Sequence, residues 1–197
     1  MAAELNPNTC YEVSGVVLPT PLAGDAALEL CNTYAGWDEP DGREYLASYD
    51  HLVVWARERE LIADASAAAL VGRHGRAADA VVDRTRSLRD AVYAVLTGRP
   101  SDAAWAVIAG EAEEAAGVAR LMGHGDRAAW VLPETLALPL RATAAAVADL
   151  LTDPPRIGRC PGHGCGWLFV NPRGTRRWCS MAVCGNRAKA ARHARRH

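Results

Sequence analysis

Apolar positions along this chain recur mostly at helical spacing. Ala27, Leu28, Cys31 and Tyr34 share one face of a segment over 25–34, with Gly36 as its stop. Ser48 is placed to cap a helix over 49–61 that buries Leu52, Trp55 and Ala56. An alanine-rich helix over 65–71 closes at Gly72. Val81, Leu88, Val92 and Val95 stripe a longer helix over 77–97, ended by Gly98-Arg99-Pro100. Ser101 caps a fifth helix to about residue 116, with Trp105 and Ile108 expected inward. Residues 1–21 read as loop or one short strand, interrupted by Pro7, Pro19 and Pro21. The loop Trp37 to Gly42 is rich in turn formers.

The period then changes. Residues 118–122 and 128–132 flank the turn Gly123-His124-Gly125-Asp126 and predict a hairpin. A densely apolar helix follows over 140–151, and Asp153-Pro154-Pro155 breaks the chain. The expected class is mainly α. A helical domain with a small β-hairpin over 1–153 precedes a compact tail over 154–197.

Charge separates these parts more sharply than length does. Residues 1–155 hold 12 arginines against all 23 acids, a net −11; residues 156–197 hold nine arginines and Lys189 with no acid, a net +10. An acidic body with a basic arm points to a polyanionic partner, or to an arm folded onto the body. The chain lacks an apolar run of membrane-spanning length, and its start is unlike a secretory leader, so the expected compartment is the cytoplasm with no membrane partner.

The tail carries its own chemistry. Cys160, Cys165, Cys179 and Cys184 are spaced C-x4-C-x13-C-x4-C. Two close pairs of thiolates can hold one tetrahedral Zn2+, and a segment too small to fold by burial can fold around such an ion. Gly162, Gly164 and Gly166 permit a tight knuckle around the first pair. Residues 167–170 read as a strand, 171–175 as a turn, and Arg176-Arg177-Trp178 as the returning strand. Trp167, Phe169 and Trp178 are the expected miniature core. Five residues on a regular helix rotate through about 500°, so Cys179 and Cys184 cannot both face an ion from within one helix. Cys179 is therefore expected before the helix, with Ser180 as cap and Cys184 in its first turns. Knuckle, hairpin and helix in this order resemble a treble-clef finger. His163 is the competing ligand for Cys184. A site of four thiolates leaves no open position for water, so the zinc is expected to be structural. Cys10 and Cys31 read as small core residues.

From Ser180 onward the chain predicts a basic helix, with Lys189, Arg192 and Arg196 in one row and Arg195 beside it. Arg173, Arg176 and Arg177 add charge from the preceding turn. Asn186 and Arg187 either read base edges or brace the metal site.

The cysteines, with Arg177-Trp178-Cys179-Ser180, Cys184-Gly185-Asn186-Arg187 and Lys189, closely resemble the CGNR zinc finger family. The stretches 27–33, 45–49 and 52–55 resemble its companion, the ABATE domain. That resemblance implies stress-induced transcription regulators, DNA binding by the finger, and a regulatory or ligand-sensing role for the helical part. It also places Asn32 and Thr33 on the family's Asn-Thr pair, a candidate ligand contact. Cys31 stands where an aliphatic residue is usual.

No acid, base and nucleophile set is apparent, so no enzymatic role is expected. The leading expectation is a DNA-binding regulator whose helical domain senses a small-molecule effector or mediates homodimerisation. An RNA-binding module stacking bases on Trp167, Phe169 and Trp178 is one alternative. A protein-interaction finger is another.

Overall fold

A computed structural model describes residues 8–195. The expected loop over residues 1–7 and the row member Arg196 fall outside them. In chain order the elements begin with β1 (Cys10–Val13), β2 (Val16–Pro19), α1 (Ala26–Cys31), β3 (Tyr34–Ala35) and β4 (Arg43–Glu44). Then come α2 (Tyr49–Glu58), α3 (Asp64–Leu70), α4 (Arg76–Leu96), α5 (Asp102–Val118), β5 (Arg120–His124), β6 (Arg127–Val131) and α6 (Leu138–Thr152). The tail holds β7 (Ile157–Arg159), β8 (Leu168–Val170), a wide π-helical turn over Met181–Gly185, and α7 (Asn186–Ala194). By packing, the described residues fall into two units. One joins those up to Leu46 with those from Pro154 onward, and the other is Ala47–Asp153.

The unit Ala47–Asp153 is helical. α5 packs against α4 and α6, and α2 meets α3, α4 and α6. α2 is buried along Leu52, Val53, Val54, Trp55 and Ala56. Ser48 precedes it in extended conformation, but its hydroxyl meets His51 Nδ1 at 2.8 Å instead of a helix amide. Ser101 does cap α5, accepting from the Ala104 N–H at 3.1 Å. Trp105 is not inward as expected: it is 45% exposed. α5 buries a stripe of Ala104, Ile108 and Ala115, whose small members suit close approach, and Trp105 lies one residue (about 100°) off that stripe. β5 and β6 form the expected antiparallel hairpin. Its Leu121, Met122, Trp130 and Val131 are all exposed.

In the other unit, the expected N-terminal loop or single strand is a hairpin. β1 and β2 pair antiparallel around Ser14-Gly15. Both turn residues have positive φ, 50° and 76°, as a two-residue turn matched to strand twist requires. α1 stops at Cys31 and does not run to Tyr34. Asp25 starts it by accepting from Ala27 N–H at 2.8 Å and Leu28 N–H at 3.2 Å. Tyr34 belongs to β3, which pairs with β4 across the turn-rich loop.

The expected returning strand at Arg176-Arg177-Trp178 is absent. β8 pairs instead with β7, in register Gly158↔Phe169, so the knuckle itself is the hairpin's loop. Asn171 explains why the following segment turns without a ladder. Its side chain donates to Arg176 C=O at 2.9 Å and accepts from Arg176 N–H at 3.1 Å, doing locally what a strand partner would do.

The other edge of β8 is also taken. Asn32, with no exposed surface, accepts from Leu168 N–H at 2.8 Å and donates to Leu168 C=O at 2.9 Å. Val170 N–H bonds Ala23 C=O at 2.8 Å, and Trp167 Nε1 donates to Tyr34 C=O at 2.9 Å. Glu29 Oε1 accepts from Leu22 and Ala23 N–H, both at 2.6 Å, and holds the loop before α1. Residues 8–46 thus supply the sheet edge and the loop supports that the tail lacks. Asn32→Ala should lower unfolding stability by about 3 kcal/mol, because it strands a buried N–H and C=O together. Urea denaturation monitored by circular dichroism checks this; a shift under about 0.5 kcal/mol, within the range of ordinary surface substitutions, contradicts it.

Candidate metal centre and basic surface

The four sulfurs predicted from spacing come together. The Sγ atoms of Cys160, Cys165, Cys179 and Cys184 all lie within 4.8 Å of one another. Cys165 and Cys179 are 3.5 Å apart, and Cys179 and Cys184 3.6 Å. Zn–S bonds of about 2.3 Å place tetrahedral ligands about 3.8 Å apart, so this set has the size of a zinc site. Cys160, Cys179 and Cys184 are buried and Cys165 half-buried.

Each ligand is positioned by a distinct piece of backbone. Cys160 follows β7 and Cys165 precedes β8, so the hairpin fixes their separation. Their loop is tight: a Cβ on Gly162 would stand 2.9 Å from Cys184 Sγ. Cys179 lies before the helix, as the rotation argument requires. Cys184 sits on the wide turn Met181–Gly185. The turn's i→i+5 pattern, with Gly185 N–H bonded to Ser180 C=O at 3.0 Å, carries Cys184 toward the other sulfurs.

Donors face the cluster. Arg187 Nη2 lies 3.2 Å from Cys184 Sγ. Backbone N–H groups of Cys179 and Trp167 bond the sulfurs of Cys160 and Cys165. Among the sulfurs themselves, hydrogen bonds from Cys165 and Cys179 pull Cys160 down to about 6. Bonds from Cys160, Cys165 and Cys179, with Arg187 beside it, hold Cys184 far below the usual thiol range. Cys165 and Cys179 are pushed up by the neighbouring sulfurs and by burial. A dication binds thiolates and displaces such protons. The residues present therefore fit Zn2+, held by four cysteines with no protein position left open.

His163 is not part of the set. Its side chain is 96% exposed and its Nδ1 lies 3.3 Å from Glu39 Oε1. The wall of the site is apolar: Tyr45, Cys10, Trp167 and Phe169 are buried with the cysteines, and Trp178 packs half-buried against them. Trp167 is 4% and Phe169 1% exposed, which removes both as base-stacking platforms. Cys10, expected as an isolated core residue, is buried in this wall, and Cys31 is buried elsewhere.

Asn32 and Thr33 are both fully buried. Asn32 is spent on Leu168, and Thr33 Oγ1 bonds Leu30 C=O at 2.6 Å, so neither offers a contact to a ligand. Sequence reading had no signal for Asn32 as a latch, since its partner stands 136 positions away.

The basic residues divide by environment. Arg176 is half-buried and committed: its guanidinium bonds the carbonyls of Leu22 at 2.9 Å, Cys179 at 2.5 Å and Trp178 at 3.2 Å, and stacks on Phe169. Arg187 braces Cys184, and Asn186 donates to Ala182 C=O at 3.2 Å. Arg173, Arg177, Lys189, Arg192 and Arg195 are exposed. α7 buries none of its residues.

Two family models match the chain. The family model named ABATE, described as "Putative stress-induced transcription regulator", matches residues 24–154. The CGNR zinc finger model matches residues 156–197. No curated protein matches the chain significantly. Among the described residues, no helix is long and apolar enough to cross a membrane.

Elemental analysis of purified protein should find one zinc per chain, and none after Cys160→Ser. Arg187→Ala should keep the ion but lower its affinity about tenfold, as loss of an outer hydrogen bond to a ligand does. Competition with a chromogenic chelator measures this, and an unchanged affinity contradicts the bracing role.

Proposed function

We propose, for a chain that belongs to the ABATE family and carries a CGNR zinc finger, that it is a cytoplasmic transcription regulator whose finger binds DNA. The observation that carries this reading is the exposed set Arg173, Arg177, Lys189, Arg192 and Arg195, on a tail with no acid. Like charges this close repel one another on a free helix. Phosphates relieve that repulsion, and the zinc cluster fixes where the charges sit. Four thiolates around the ion would fill its sphere, so the metal's role is to shape a surface and no catalysis is assigned. Burial of Trp167 and Phe169 weighs against the RNA-stacking alternative.

The helical part supplies regulation, by sensing a small molecule or by pairing two copies. The exposed Leu121, Met122, Trp130 and Val131 favour pairing, since a two-stranded hairpin is marginal alone in water and another copy's edge would complete it. Pairing also suits a single short finger, whose interface is small.

Two measurements test this reading. Binding of zinc-loaded protein to duplex DNA should weaken with salt at a slope of about −4.5 in log K against log salt, for five phosphates neutralised. A slope near zero contradicts it. Light scattering should give a dimer that Trp130→Ser shifts toward monomer. A strict monomer at micromolar concentration overturns the pairing role.

A further inference from the structure

A groove of about 670 Å³ runs between the zinc knuckle and α7. The knuckle residues Pro161-Gly162-His163 and the pair Arg177-Trp178 bound it on the finger side. α7 contributes Arg187, Ala188, Ala191 and Arg192, Arg195 follows at its C-terminal cap, and Cys184 also lines the groove. No lining side chain is acidic. Glu39, the carboxylate that approaches the knuckle, stands 3.3 Å from His163 Nδ1.

The lining follows from helix geometry. Arg187, Ala188 and Ala191, with Arg195 at the cap, recur at three- and four-residue intervals on one stripe of α7, and Cys184 precedes them on the wide turn. One end of that stripe is tied to the metal site by Arg187. Only part of Arg187 is used there: Nη2 bonds Cys184 Sγ, while a guanidinium has five donors. Alanine at 188 and 191 keeps the middle open, and arginines stand on both sides. Arg177 is held over the Trp178 ring, 5.1 Å from its centroid, which orders its charge against the wall. Lys189, although exposed, does not line the groove.

We infer that this groove seats one sugar–phosphate strand of the DNA, so the finger grips a single backbone and does not lie in the major groove on its outer face. The inference rests on the DNA-binding reading above and adds where contact is made. From Arg187 to Arg195 the helix advances about 12 Å, the axial length of roughly three phosphates on one strand. Arg187, Arg192, Arg195 and Arg177 would hold those phosphates. The small alanine side chains and the Trp178 wall leave room for the sugars between them. The outer face, with Lys189, adds only diffuse attraction.

Fluorescence anisotropy on the full zinc-loaded chain tests this with a mixed-sequence duplex of about 16 base pairs, roughly one and a half turns, and with one of its strands alone. Ala191→Trp fills the groove and leaves every charge in place. It should weaken binding of both probes by about tenfold or more, the cost of losing one charge-assisted contact. Lys189→Ala removes one charge of the exposed basic set from outside the groove, and should weaken binding by less than Ala191→Trp does. Zinc content and helicity of each variant are checked first. Should Ala191→Trp lose zinc, Ala191→Leu and Ala188→Leu decide with the same expected direction. Parent-like binding by the groove-filled variants, while the parent binds DNA, overturns the groove and leaves DNA binding standing. A parent that binds neither probe overturns both.

Discussion

The convergence of four cysteine sulfurs is the constraint that orders the basic tail. Four thiolates around one dication leave two net negative charges in a largely buried place. Such a charge persists only where donors meet it. Arg187 and the backbone N–H groups of Cys179 and Trp167 are those donors. They also set the path of the chain, because each lies on the segment that delivers a ligand or leaves one. The direction of α7, and with it the placement of every exposed arginine on that helix, follows from where Cys184 must stand.

Metal alone does not complete the finger. Its strands are three residues each and its second hairpin arm is missing. Residues 8–46 replace that arm with Asn32, Ala23 and the carbonyl of Leu22, and add Tyr45 and Cys10 to the apolar wall. Arg159 Nη2 donates to both carboxylate oxygens of Asp38, at 2.5 and 2.7 Å. The charge asymmetry of the chain is thus partly answered within this unit, close to the knuckle. The arginines that remain exposed lie later in the tail, after Asn171, where no acidic residue follows in sequence.

Much of this was legible in the residues. Four cysteines at paired spacing announced the metal centre, and the 500° rotation between Cys179 and Cys184 correctly put the first of them ahead of the helix. Helical periodicity and capping placed α2 to α6 within a few residues, and turn formers placed β5 and β6. The misses have physical causes. The β1–β2 hairpin was hidden by three nearby prolines, although Ser14-Gly15 between valines was a turn signal. Ile108 is inward as its spacing predicts, whereas Trp105 stands one residue off the buried stripe of Ala104, Ile108 and Ala115. Residues 176–178 follow a turn and lead to Cys179, the place of a returning strand, yet the side chain of Asn171 closes that loop. Asn32, Arg159 and Arg176 act through partners more than 100 positions away, which no local pattern reveals.

X-ray absorption at the zinc edge of the purified full-length protein tests the central claim most directly. The account predicts a first shell of four sulfurs at about 2.3 Å and no nitrogen or oxygen. A shell with fewer sulfurs completed by imidazole or water, or protein that folds with its basic helix in place and no zinc bound, would contradict it.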